Sequence, residues 1–127
     1  PLTPSKDITS IANRDPAVSA YFRSLLFSAA STKPRIRSAF SLAFQAPAWI
    51  QARLPDMGTP MLVLHGADDR VTRPEVSEHL HLVAKAADKT LKVYADAQHG
   101  ELLHGKVREA LVREVYADVG QWMAQRC

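Results

Sequence analysis

The stretch VLHGADDRV, residues 63–71, sets an apolar run, a glycine, two adjacent aspartates and an arginine side by side, and YADAQHGELLHG, residues 94–105, places a histidine five positions beyond Tyr94. An aspartate just past a buried strand costs free energy unless it finds a partner. Imidazole is a suitable one. A carboxylate against one ring nitrogen fixes the histidine tautomer and stabilises the imidazolium, leaving the other nitrogen free to move a proton for a nucleophile. The chemistry to look for is therefore an acid and base working together, with Asp68 or Asp69 as the acid and His99 as the base.

Such a pair needs elements that bring residues thirty apart into contact. PMLVLHG, residues 60–66, is a short continuous apolar run closed by glycine, as expected for a strand buried on both faces of a parallel sheet. RPEVSEHLHLVAKAAD follows as a helix, with Val76, Leu80, Val83, Ala84 and Ala87 on one face. KTLKVYAD then alternates Leu91 and Val93 against Lys92 and Tyr94, a half-exposed strand near a sheet edge. VREALVREVYADVGQWMAQR closes the chain with an apolar stripe running from Val107 through Leu111, Val115, Val119 and Trp122 to Met123. Strand, helix, strand, helix is a right-handed parallel unit, whose loops at the carboxyl ends of the strands are where reactive groups gather in open α/β sheets. Neighbouring strands run about 4.8 Å apart, close enough for the two loops to bring a carboxylate to an imidazole.

The first part of the chain has a different character. AVSAYFRSLLFSAA reads as a helix with Asp15 as its N-cap and Pro16 at its first position. PRIRSAFSLAFQAPAWIQARL reads as a second, with Phe40 and Phe44 one turn apart and Pro47 ending or kinking it. These segments are short and irregular, suited to a lid or peripheral layer. Two strands do not make a stable sheet alone in water, and no other run matches PMLVLHG. The expectation is the C-terminal portion of a larger α/β domain, and Pro1 is not expected to be a natural start.

Composition narrows the function classes. Of the 127 residues, 46% are hydrophobic and 23% charged, the profile of a globular domain. The formal charge is +3, yet the basic residues are scattered and interrupted by acids, so no stripe for tracking phosphates forms and nucleic-acid binding is not expected. The single cysteine, Cys127, excludes an internal disulfide and a cysteine-based metal site. His79 and His81 lie two apart on a helix and face different ways. A metal site built from His65, Asp68, Asp69 and His99 matches no ligand spacing, so neither metal nor cofactor is expected.

The stretches PMLVLHGADDRVTRPEVSEHL, KTLKVYADAQHGELLHG and VYADVGQWMAQR together resemble the C-terminal part of the monoacylglycerol lipase-like and serine aminopeptidase-like α/β-hydrolases. In that family a strand leads into glycine, two residues, the acid, a basic or polar residue and an aliphatic one. These fall here on Gly66, Asp69, Arg70 and Val71. A later K-x-Y strand leads through a small-residue turn to the base, which falls on Lys92, Tyr94 and His99. The resemblance is strong over residues 60–126 and weaker from the NRDP at 13–16 onward. It implies an α/β-hydrolase fold, with a cap segment at 1–57 and a C-terminal subdomain carrying acid and base at 58–127.

It also implies a serine ester hydrolase in which Asp69 orients His99 and a serine attacks a lipid monoester or another small carboxylic ester. The order acid then base agrees with that family. The five glycines, at 58, 66, 100, 105 and 120, offer no Gly-x-Ser-x-Gly elbow, so the nucleophile is absent from these residues and the chain by itself is expected to be inactive. The alternative is a non-catalytic hydrolase-like binding or interaction module. Residue by residue, bland readings stand beside these. Asp69 could merely cap the following helix or bind Arg70, Asp68 reads as a solvated turn residue, His65 as a hydrogen-bonded core histidine, and His104 as the rival base. The aromatic and aliphatic groups Tyr21, Phe22, Leu25, Leu26, Phe27, Phe40, Phe44 and Trp49, with Arg35, Arg37 and Arg53 nearby, suit either packing of the cap on the body or an acyl tunnel and a lipid surface. Peripheral membrane contact through the cap, or a cytoplasmic location, is the corresponding expectation.

Overall fold

A computed structural model describes residues 12–29, 40–103 and 106–126. Two strands, β1 (Met61–Gly66) and β2 (Lys89–Tyr94), pair in parallel, joined through the helix Pro74–Val83 and followed by the helix Glu109–Ala124. This is the strand, helix, strand, helix order of an α/β fold. In chain order the helices are α1 (Pro16–Ala29), α2 (Ala46–Gln51), α3 (Pro74–Val83) and α4 (Glu109–Ala124).

The core lies on the α4 side of the sheet, where Tyr94, Ala97, Leu111 and Val115 are buried against one another with Leu64 and Leu102 packed on them. Tyr94 was expected on the exposed side of its strand; it is 3% exposed, whereas Val93 is 39% exposed. The reason is a polar tether. The Tyr94 hydroxyl donates to Asp118 Oδ2 at 2.6 Å, and Lys92 Nζ donates to the same oxygen at 2.5 Å and to Glu114 Oε1 at 2.9 Å. The alternate residues Lys92 and Tyr94 therefore face α4, with their polar tips satisfied by its acids. Arg126, stacked 3.9 Å over the Trp122 ring, forks onto both carboxylate oxygens of Asp88 and ties the end of α4 to the entrance of β2.

Three further expectations are corrected. α3 ends at Val83, and Val76 is 65% exposed, because its inward row passes through Ser77, which is held by His65. The α4 stripe is buried only at Leu111 and Val115; Val107 and Met123 are exposed. Around Pro47 the chain forms a widened turn, Ser41–Gln45, in which the Ala46 N–H reaches back to the Ser41 carbonyl, and Pro47 then sits in the first turn of α2 rather than ending a helix. A proline has no N–H to lose at that position, which explains the exchange. The Asp15 cap forms as expected, with its Oδ1 accepting the Ala17 N–H at 2.9 Å ahead of Pro16. Phe40 and Phe44 lie 5.2 Å apart between ring centroids. No helix among the described residues is long and apolar enough to cross a membrane. His104, Arg35, Arg37 and Cys127 lie outside the described residues.

Candidate functional site

The strand register sets the site. Gly66 stands opposite Tyr94, so the acid turn and the base loop leave the sheet at the same level. The ladder continues beyond the strands, with the Ala67 N–H donating to the Tyr94 carbonyl at 2.9 Å and the Asp68 N–H to the Ala97 carbonyl at 3.0 Å. Gly66 is required for this approach, because a Cβ there would lie 2.2 Å from the Ala97 carbonyl oxygen. The Asp69 N–H closes the turn onto the Gly66 carbonyl at 3.2 Å. On the other loop Asp96 takes the left-handed conformation, at φ 56°, which turns the chain toward His99.

Asp69 and His99 meet. His99 Nδ1 lies 2.8 Å from Asp69 Oδ2, and the Asp69 side chain is 4% exposed against 44% for His99. Asp69 Oδ1 accepts the backbone N–H groups of Val71 and Thr72 at 2.8 and 2.9 Å, and the Thr72 hydroxyl donates to Oδ2 at 2.9 Å. Burial alone would push the Asp69 carboxyl up, but the Thr72 N–H, His99, the Val71 N–H and the Thr72 hydroxyl outweigh it and bring the carboxyl down to about 2. Asp69 thus caps the turn at Val71 and Thr72 and not α3, whose first residue is Pro74. Carboxylate against Nδ1 makes Nδ1 the donor, and His99 Nε2 makes no hydrogen bond among the described residues. A fixed, ionised acid behind an accessible imidazole can take up and return one proton.

Asp68 is excluded from that contact. It is not merely solvated either, since Arg14 Nη2 donates to its Oδ2 at 2.8 Å. Arg14 also reaches the base loop, where Nη1 donates to the Asp96 carbonyl at 2.7 Å. Glu101, only 1% exposed, completes this brace, accepting the backbone N–H of Arg14 at Oε1 and of Gln98 at Oε2, both at 2.9 Å. Beside it the Gly100 N–H donates to the Ala12 carbonyl at 2.6 Å, and Asn13 Nδ2 donates to the Gly100 carbonyl at 2.8 Å. Asp15 Oδ2 accepts the Lys106 N–H at 2.9 Å. Residues 12–15 therefore grip the loop that carries His99 from both sides. Of these supporting residues, Thr72 had a local signal, three positions past an aspartate in a turn. Arg14 and Glu101 had none, because their partners lie 87 positions away.

Residues 3–106 match the model of the family described as serine aminopeptidase, S33. The chain belongs to this family of α/β-hydrolases. Within it, the chain is 34% identical over 77 residues to the monoglyceride lipase of Homo sapiens, covering 61% of this chain and 24% of the lipase. It is 31% identical over 94 residues to the caffeoylshikimate esterase of Arabidopsis thaliana, covering 74% of this chain and 27% of the esterase. A monoglyceride lipase of Saccharomyces cerevisiae is 31% identical over 64 residues, covering 50% of this chain and 20% of that protein. The chain thus spans about a quarter of the length of the curated relatives it matches.

Proposed function

We propose that this chain carries the acid and base of a serine ester hydrolase, with Asp69 orienting His99 and the nucleophile supplied from outside these 127 residues. The observation that supports it most is the 2.8 Å contact between the buried, ionised Asp69 and the half-exposed His99. His99 Nε2 takes the proton of the attacking serine hydroxyl, Asp69 stabilises the imidazolium, and the proton passes to the departing alcohol. Water then repeats the sequence on the acyl intermediate. No step in it calls on a metal or a cofactor.

The substrate we infer is a lipid monoester or another small carboxylic ester, in keeping with relatives named monoglyceride lipase and caffeoylshikimate esterase. In this reading residues 1–57 form the cap over the site and residues 58–127 the subdomain carrying acid and base. Tyr21, Phe44 and Trp49, each at least 59% exposed, suit contact with an acyl chain or a membrane surface and favour a peripheral membrane location.

A fluorophosphonate probe tests the proposal. The protein made from its complete reading frame should be labelled at a serine outside these residues and should turn over monoacylglycerol, and the 127-residue chain alone should do neither. Stoichiometric labelling of a serine within the chain would overturn the external nucleophile. A complete protein that neither labels nor turns over esters would instead establish a non-catalytic hydrolase-like module, the reading favoured by the absence of Gly-x-Ser-x-Gly here.

A further inference from the structure

His65 closes β1 one residue before Gly66, with its side chain 12% exposed and both ring nitrogens engaged. Nδ1 lies 2.6 Å from Ser77 Oγ on α3. Nε2 lies 2.9 Å from the Thr72 carbonyl oxygen and 3.1 Å from Asp69 Oδ2. Both neighbours of Nε2 are acceptors, so Nε2 carries a proton, and in the neutral ring Nδ1 accepts the Ser77 hydroxyl. The environment thereby selects one tautomer.

Asp69 Oδ2 consequently faces two imidazoles, His99 at 2.8 Å and His65 at 3.1 Å, as well as the Thr72 hydroxyl. We propose that His65 is a positioning residue for the Asp69–His99 pair: its Nε2–H, donated to the Thr72 carbonyl, fixes the residue whose N–H and hydroxyl grip Asp69, and sets a polar ring edge 3.1 Å from Oδ2. The proposal rests on the reading of Asp69 and His99 as acid and base. Ser77 is thereby part of the device, since its hydroxyl turns the His65 ring so that Nε2 points to the Thr72 carbonyl. The groups facing His65 are the uncharged Ser77 from α3, Val93 as its register partner in β2, Asp69 from the acid turn and, through Asp69, His99; the Arg14 pairs with Asp68 and Glu101 flank the two loops.

Nuclear magnetic resonance of the nitrogen-15-labelled imidazoles, in the protein made from its complete reading frame, tests this. Wild-type His65 should show the Nε2–H tautomer at neutral pH, a result that needs no variant. In ester turnover, His65→Leu should lower kcat about tenfold with KM little changed, and His65→Gln, whose amide can still donate to the Thr72 carbonyl, should restore most of it. If His65→Leu fails to fold, Ser77→Ala, which leaves the ring in place but unanchored, should lower kcat by a smaller factor. An Nδ1–H tautomer in the wild type overturns the proposal. So does an unchanged kcat in a folded His65→Leu while Asp69→Asn lowers it by orders of magnitude. If Asp69→Asn leaves kcat where it was, the acid–base reading fails and this inference fails with it.

Discussion

Replacing Asp69 with asparagine should destabilise the fold at neutral pH and do so less and less as the solution is acidified. The Asp69 carboxyl moves from an ordinary 3.8 to about 2 on folding. At about 1.4 kcal/mol for each pH unit, this displacement amounts to about 2 kcal/mol of stability from the charged form. Because the folded value is the lower one, the contribution is fully present above the unfolded value near 3.8 and is lost as pH falls toward 2. Asparagine keeps the shape and an acceptor for the turn but not the charge. Asp15, Asp88 and Asp118 are also held below their ordinary values by hydrogen bonds, so wild type and variant will both weaken in acid. The difference between the two proteins isolates Asp69. Urea unfolding at a series of pH values should give a gap of about 2 kcal/mol at neutral pH that closes as pH approaches 2. A gap that stays constant across this range, or no gap at neutral pH, would refute the view that four hydrogen bonds hold this carboxylate ionised against its burial.

Gly66→Ala should separate the two loops, because the new Cβ meets a backbone carbonyl at 2.2 Å; thermal unfolding should report a loss of about 2 kcal/mol or more. Arg14→Met should cost less than about 1 kcal/mol, since the Arg14–Asp68 pair is partly exposed, yet reduce ester turnover by about tenfold through a loosened His99 loop; unfolding and turnover measured side by side check the split. Asp96→Val should destabilise by about 1 to 2 kcal/mol, because a branched side chain resists φ 56°, while Asp96→Gly should be close to neutral, and denaturant midpoints for the two variants decide it.

Periodicity and turn residues were enough to read the alternation of strands and helices, the Asp15 cap and the level at which the two loops begin. β1 was legible because five apolar or weakly polar residues end at a glycine, and that glycine proves to be the point of closest approach to the base loop. Tyr94 was misassigned because alternation ranks residues by polarity, and a tyrosine whose hydroxyl meets Asp118 is polar only at its tip. Val76 was misassigned for the complementary reason, since the inward row of α3 holds a serine that serves His65. The brace of Arg14, Glu101 and Asn13 was invisible because no local pattern encodes a contact 87 positions away. The NRDP segment attracted notice through resemblance alone, and only the folded chain brings it against the loop that carries His99.

Asp69, and not its neighbour Asp68, is proposed to act with His99 as the acid and base of an ester hydrolase. Ester turnover by Asp69→Asn, His99→Ala and Asp68→Asn, each made in the complete protein and checked for folding, measures it directly. Losses of several orders of magnitude are expected for Asp69→Asn and His99→Ala, and a far smaller loss for Asp68→Asn, whose partner is Arg14. A loss as large for Asp68→Asn with turnover preserved in Asp69→Asn would contradict it.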